Sequence, residues 1–539
     1  MLILAVSLVV RIALMTSSSL IIENEGAEYA AIAENLLAGK GYVGVGSTGK
    51  PQLGFPPFYP FSIAVISLLV TQNTELAGRM VSLVMGLGLV FVTFKIGTLM
   101  YGRTVGLITA TLVGLHPLLV RLSVSVQSEP TYFTLVFAGV YCFLKSVDLR
   151  NIRWFFWAGA FWGLAYLTRP EAILFLVIMS CYLSVISYMT RQPWRPILAR
   201  LSLSVVVFAL LAAPYIAFLH SYTGQVRIEG KSPVNYAIGQ RMMSGMGIQE
   251  ALFGVDENLR EFGVGLEDLN RHIVNPAKFD FPALIPYVAR ATKSQLKNIV
   301  STITNSGSFG KGLLFVMVIL GLFCSAWDVD RAKREGGLLL ILGGVSVSLF
   351  SLQFFHERYV YILLPFMLLW AGKGVDEFTK WAKQTQKLVV SKDEGKPNHR
   401  VPVLQIILIA SLLLLGAPGN VPVFCDDFRS TKNGCIWTKE AGLWLRQQPP
   451  ENKVIMDAGL AVPYYARAEF LGLPYSSSAT AVKYILKKKP DFVVLRGTMR
   501  QDRPYLEEWL THGVSDNRFS LVYEAGNTLD DKIQIYRVR

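Results

Sequence analysis

The stretch Pro57–Val70, PFYPFSIAVISLLV, decides how the chain is threaded. It follows Gly54-Phe55-Pro56 and stays apolar for about 14 residues, short of the ~20 that a membrane-spanning helix requires. That length reads as a helix lying at the membrane interface. The choice has a check in charge, because lysine and arginine in short loops collect on the cytoplasmic side. A window of ~19 residues finds longer apolar runs near 1–21, 79–99, 105–122, 129–147, 153–168 and 170–189, then near 201–219, 311–327, 337–354, 358–373 and 401–418. These predict about eleven spanning helices.

With residue 1 inside and Pro57–Val70 unspanned, alternate loops carry the basic residues. They are Arg103, then Lys145, Arg150 and Arg153, then Arg191, Arg195 and Arg200, then Arg331, Lys333 and Arg334. The segment before the last helix adds Lys373, Lys380, Lys383, Lys387, Lys392, Lys396 and Arg400, all on the same side. Counting Pro57–Val70 as a span would reverse every later loop and place this set outside, against the rule.

Composition agrees. The 539 residues are 52% hydrophobic and 17% charged, with a mean hydropathy of +0.40, more apolar surface than a soluble enzyme can hide. The net charge of +14 is spread over membrane-flanking loops, so it reflects topology and predicts no nucleic-acid partner. Five cysteines without a CxxC pair make no disulfide scaffold or zinc ribbon, and Cys142, Cys181 and Cys324 read as packed thiols in apolar runs. No basic region precedes the first run, and Arg11 lies within it. That reads as a retained helix, with Arg11 expected to pair with an acid inside the bundle.

The predicted fold is an α-helical polytopic membrane protein with a C-terminal soluble α/β domain. Residues 1–418 form the membrane module, with outer segments at 22–78 and 220–310, and residues 419–539 form the extracytoplasmic domain. In that domain Lys453–Asp457, Phe492–Arg496, Leu521–Glu524 and Ile533–Tyr536 read as strands. Lys439–Arg446, Thr480–Lys488 and Pro504–Leu510 read as helices. Cys425 and Cys435 at its start are either a disulfide or two free thiols.

The outer loops carry few charges. The first contains Glu23-Asn24-Glu25-Gly26-Ala27-Glu28-Tyr29 and runs on as an amphipathic helix through Ala30, Ala33 and Leu37 to Gly39-Lys40-Gly41. Glu25 and Glu28 share a face there, with Tyr29 beside them. The others give Gln127-Ser128-Glu129-Pro130, Arg169-Pro170-Glu171 and His356-Glu357-Arg358-Tyr359. Singly, each has a bland reading. Glu129 suits a helix N-terminus, Arg169 and Arg358 can snorkel to headgroups, Glu171 and Glu357 can neutralise them, and Glu34 and Lys40 read as solvated charges. Jointly, ionisable groups clustered at one face of an apolar bundle point to function.

An attacking hydroxyl must lose its proton to a positioned carboxylate, and a departing phosphate must be held by cations. Glu25 can supply the first, and Arg169, His356 and Arg358 the second. The chain has no P-loop, no GxGxxG after a strand and no HExxH, so a lipid-borne phosphate fits better than a soluble nucleotide.

This arrangement resembles the GT-C glycosyltransferases, in the branch of the protein O-mannosyltransferases and the lipid A aminoarabinose transferase. The resemblance rests on Glu25 to Tyr29 followed by Ile32 to Tyr42, on Phe55-Pro56-Pro57-Phe58-Tyr59-Pro60, and on Arg79. It continues through Ser128-Glu129, Leu167-Thr168-Arg169-Pro170, and Arg358-Tyr359 followed by Pro365, and covers roughly the first 375 residues. It implies a polyprenyl-phosphate-linked sugar donor, a lipid, glycan or protein acceptor, inversion at the anomeric carbon, and a first-loop acid as general base. It also implies no cofactor and no catalytic metal, and a bacterial or archaeal cell membrane with the active site outside. Two departures stand out. Glu25-Gly26 occupies the place of the family's Asp-Glu, so the partner acid would be Glu28 or Glu129. The family's phosphate-binding lysine before the paired prolines is absent, leaving Lys50, His356 or Arg358 to replace it beside Tyr29, Arg169 and Tyr359. A transporter or flippase for lipid-linked sugars is the rival reading, and it predicts mid-bilayer polar residues and two similar halves that the sequence lacks. A nonenzymatic sugar-binding subunit is the other, and it has no need of Glu25.

Overall fold

A computed structural model describes residues 1–17, 21–22, 24–45, 49–146, 151–191, 193–266, 273–274, 296–297, 300–301, 312–350, 357–389, 400–415 and 432–539. The expectations for His356 and for a Cys425–Cys435 disulfide lie outside what is described.

Among the described residues, each of the eleven apolar runs is helical over most of its length. The first is α1 (Leu2–Ser17), followed by α2 (Asn24–Leu37) and α3 (Phe58–Ile66) in the first outer segment. Then come α4 (Thr74–Tyr101), α5 (Arg103–Leu115), α6 (Pro117–Leu122), α7 (Glu129–Ser146), α8 (Ile152–Tyr166), α9 (Ile173–Met189) and α10 (Trp194–Thr223). Two shorter helices, α11 (Ser232–Met243) and α12 (Ile248–Phe253), precede α13 (Leu313–Phe323), α14 (Val329–Phe350), α15 (Leu363–Val389) and α16 (Arg400–Leu415). Among the described residues, Thr74–Tyr101, Pro170–Met189 and Trp194–Thr223 are long and apolar enough to cross a membrane by length and composition alone, and several of the others are shorter apolar helices. Val84, Phe91, Leu210 and Ile406 stand exposed on outward faces, the signature of helices solvated by lipid.

Helix α3 continues as one π-helical turn to Thr71, so that 9 and 5 residues run together. At ~1.5 Å per residue this piece spans about 21 Å, short of the ~30 Å hydrocarbon core. Its Tyr59 and Ile63 pack with Tyr29 and Val81, so it is wedged between α2 and α4.

Helix α7 lies at the centre, buried along nearly its whole length. Trp162 of α8 packs against Gly139, where any side chain would collide with the indole. Helices α13 and α15 approach backbone to backbone, and a Cβ on Gly374 would run into the carbonyl of Met317. Small residues permit such contact between membrane helices. Gly374→Leu is therefore expected to destabilise the bundle by about 1–3 kcal/mol of overpacking. Gly343→Ala, which meets nothing within 4 Å, should leave stability nearly unchanged. Thermal unfolding in detergent compares the two, and equal melting temperatures would remove this account.

Among the described residues Arg11 finds no acid. Its Nε donates 2.8 Å to Ser123 Oγ, and Nη1 donates 2.7 Å to the Gly114 carbonyl and also bonds Ser7. The pairing expected from charge alone is replaced by neutral acceptors, because the small residues Ser7, Gly114 and Ser123 bring acceptor oxygens within reach. Of the three cysteines expected to be packed, Cys142 is buried, whereas Cys181 on α9 and Cys324, just past the end of α13, are exposed.

The tail begins with α17 (Lys432–Gln447) and folds around a five-stranded sheet of order β2-β1-β3-β5-β4. Its strands are β1 (Val454–Asp457), β2 (Glu469–Gly472), β3 (Phe492–Arg496), β4 (Phe519–Ala525) and β5 (Ile533–Val538). Strands β1, β2 and β3 run parallel, connected by α18 (Ala461–Ala466) and α19 (Ser478–Lys488), while β5 pairs antiparallel with β3 and β4. Alternation along β3 sends Val493 and Leu495 toward α19 and α20 (Leu506–His512), and Phe492 and Val494 toward α17. The sequence reading missed β2 and α18. Each is short and carries a breaker, Gly472 in β2 and Pro463 in α18, which hides any periodic signal.

Candidate active site

Each site side chain sits where a helix begins or ends. Glu25 lies in the first turn of α2, Glu129 opens α7, Arg169 follows α8, and Arg358 precedes α15. Neighbouring helices run antiparallel, so these four termini fall at the same end of the bundle. Glu335, Lys373 and Tyr101 meet at the other end.

Arg358 is the keystone. Its Nη2 donates 2.8 Å to Glu25 Oε2, and its Nε donates 2.9 Å to Glu129 Oε1. Arg169 Nη1 donates 3.0 Å to the same Glu129 oxygen. Lys231 completes the set, its Nζ donating 2.6 Å to Glu25 Oε1 and lying 4.8 Å from the centre of the Phe55 ring. Glu129 is fully buried, and its Oε2 accepts no hydrogen bond among the described residues. Tyr29 donates 3.2 Å to Ser128 Oγ and meets Phe55 and Tyr59 edge to face. Tyr359 lies 6.0 Å from the Arg169 guanidinium.

Glu25, Tyr29, Phe55, Arg169, Lys231, Arg358 and Tyr359 line a cavity of about 360 Å³. Glu129 lies behind this charged wall, buried against the two guanidinium groups. The cavity's apolar wall includes Val234, Ile238, Ile248, Leu252 and Phe253, and the turn after β1, at residues 458–460, closes it from the C-terminal domain.

Burial pushes the Glu25 carboxyl up, but the charges of Arg358, Lys231 and Arg169 together outweigh it and hold the group well below the usual carboxylate range. Burial likewise pulls Lys231 down, and the Glu25 carboxylate overturns that, leaving the ammonium raised. Glu229 behaves oppositely. Burial and the nearby Glu171 push its carboxyl to about 7, against the smaller pull of Lys231 and the Ser232 amide.

That raised value has a consequence for stability. The folded state favours the protonated Glu229, so its contribution is complete below the ordinary value of 4.5 and is lost as pH rises through about 7. Glu229→Gln should therefore gain in melting temperature relative to the parent between pH 5 and pH 8. A pH-independent difference would contradict the assignment.

The structure brings Glu25, Glu129, Arg169 and Arg358 together, with Tyr29 and Tyr359 alongside. Glu28, buried three residues from Glu25, lines the same cavity but turns its carboxylate to the Gln52 amide. Lys50 is exposed and is not among the cavity's lining residues. Lys231 and Glu229 escaped the sequence reading because they lie in the long second outer segment. The available signal was Glu229-Gly230-Lys231 itself, two opposite charges flanking a glycine whose Cβ would strike the Leu53 carbonyl. That close approach brings the segment against the paired-proline loop. Among the described residues no three metal-ligating side chains converge.

Residues 55–217 match the model of the dolichyl-phosphate-mannose-protein mannosyltransferase family. No curated protein matches the chain by sequence. Among solved structures, the oligosaccharyltransferase AglB from Archaeoglobus fulgidus, in complex with an inhibitory peptide and a dolichol-phosphate, is similar at a TM-score of 0.58 and 13% identity, over 92% of this chain and 69% of that one. ArnT from Cupriavidus metallidurans bound to undecaprenyl phosphate is similar at 0.56 and 13% identity, over 99% of this chain and 97% of that one. Apo ArnT is similar at 0.56 and 15% identity over the same shares. The chain has the fold of the GT-C membrane glycosyltransferases, and its residues 55–217 match one of their families.

Proposed function

We propose that this chain is a membrane glycosyltransferase that moves a sugar from a polyprenyl-phosphate donor to an acceptor hydroxyl on the extracytoplasmic face, with inversion. The observation that carries the reading is the joining of Glu25 and Glu129 through Arg358, with Lys231 and Arg169 on the same cavity wall.

The acceptor oxygen attacks the anomeric carbon from the side opposite the phosphate, its proton passes to the Glu25 carboxylate, and the carbon–oxygen bond to phosphate breaks with its electron pair leaving on the phosphate. A base gripped by two cations is a weak base. The donor phosphate supplies the remedy, because its oxygens compete with Glu25 for Arg358 and Lys231. Once those charges are shared, burial regains its hold on Glu25 and its proton affinity rises. Donor binding thus arms the base, and before binding the ion pairs keep it idle. Glu129, held by Arg169 and Arg358 behind the cavity wall, sets the angle of both guanidinium groups.

The test is to incubate purified protein with radiolabelled polyprenyl-phosphate hexoses and pentoses and a cell-envelope extract as acceptor source. Release of polyprenyl phosphate in step with acceptor labelling supports the reading. Binding or lipid translocation without release of polyprenyl phosphate rejects it in favour of a binding subunit or a flippase.

A further inference from the structure

We infer that Tyr465, in the C-terminal domain, is a positioning residue for Glu25, which makes that domain part of the device that sets the general base. The inference rests on the base assignment proposed above, and its ground is the way α2 is held.

The phenol oxygen of Tyr465 accepts a hydrogen bond of 3.0 Å from the backbone N–H of Ile22, three residues before Glu25. Both residues are buried. Asn24, between them and the base, has a φ of 42°, a left-handed conformation that a side-chain-bearing residue keeps only when its surroundings impose it. Gly26 follows directly, and a Cβ there would stand 2.6 Å from the Val126 carbonyl. The backbone that carries Glu25 is therefore pinned on one side by the bundle and on the other by Tyr465.

The far end of α2 is tied to the same short helix. Arg467, just beyond α18, pairs with Glu34. The neighbouring Tyr464 hydroxyl lies 3.1 Å from Thr74 Oγ1 at the start of α4. Lys439 of α17 sits 5.1 Å from the centre of the Tyr465 ring and donates 3.0 Å to Glu75, which also binds Arg79 at 2.6 Å. Helix α18 thus acts as a strut. One end begins at Leu460 on the cavity wall, and the other brackets the helix bearing Glu25.

An error of ~1 Å in the placement of a catalytic group can cost ~10²-fold in rate. The Tyr465 hydroxyl touches neither the phosphate-holding cations nor the cavity, so its removal should misplace Glu25 without weakening the grip on donor. Tyr465→Phe is expected to lower kcat by roughly 10- to 100-fold while donor KM and undecaprenyl phosphate binding stay within about twofold. In the Glu25→Gln background the same substitution should cause no further loss, because a residue acting through Glu25 has nothing left to position. Unchanged kcat, a matching change in donor KM, or a full-sized loss in the Glu25→Gln background would each overturn the inference. Should Tyr465→Phe fail to fold, Arg467→Gln releases the other end of the strut and is expected to give a smaller loss confined to kcat. Unchanged kcat there overturns the inference as well. Normal turnover by Glu25→Gln alone would instead remove the base assignment on which the inference stands.

Discussion

Replacing Glu25 by glutamine is expected to stop sugar transfer, lowering turnover by ~10²–10⁴-fold, while the protein folds and still takes up polyprenyl phosphate. Glutamine has the same shape and keeps one oxygen to accept from Arg358 or Lys231, but it cannot take the acceptor's proton. It also removes one negative charge from a wall that carries Arg169, Lys231 and Arg358. Those cations are then freer for phosphate, so donor affinity should hold or tighten as turnover falls. That opposite movement distinguishes a lost base from a lost binding group. The measurement is donor turnover and undecaprenyl phosphate binding on the same purified variant. Parent-like turnover would withdraw the assignment.

The second large effect is expected at Lys231. Its ammonium is held against Glu25 and over the Phe55 ring on the cavity wall, and under the proposed function it holds the donor phosphate. A hydrogen bond to a charged group contributes ~1.5–3 kcal/mol, so Lys231→Met should weaken donor binding by about 10- to 100-fold. Lys50→Met provides the contrast. Lys50 is exposed and does not line the cavity, so its loss should leave donor affinity within about twofold. The two variants compared by donor KM decide between the lysines. A large effect at Lys50 with none at Lys231 would reverse the assignment.

Much of the candidate site's convergence was legible in the residue order, and the reason is geometric. Glu129, Arg169 and Arg358 each stand at the terminus of a long apolar helix, and alternating helix direction forces such termini to one end. Glu25 announced itself by lying in an amphipathic helix between spans. Lys231 was invisible for the converse reason. It belongs to a segment with no apolar periodicity, and only the fit of Gly230 against Leu53 delivers it to the cavity. Glu28 illustrates the limit of spacing. Two carboxylates three residues apart share a helix face, yet at ~100° per residue they stand about 60° apart around the axis, and that difference suffices for Glu28 to turn to Gln52 while Glu25 meets Arg358. Arg11 shows a related limit, since charge counting seeks an acid where neutral oxygens suffice.

By itself the sequence determined the helical, membrane-embedded class, the α/β character of the tail and the set of helix ends that hold charge, because these follow from local hydrophobicity, period and length. The tertiary structure alone decided which charges touch, which of them titrates near neutrality, and that α18 braces the first outer helix. Those outcomes depend on contacts between segments hundreds of residues apart, such as Ile22 with Tyr465 and Glu25 with Arg358, whose separation along the chain leaves no periodic trace.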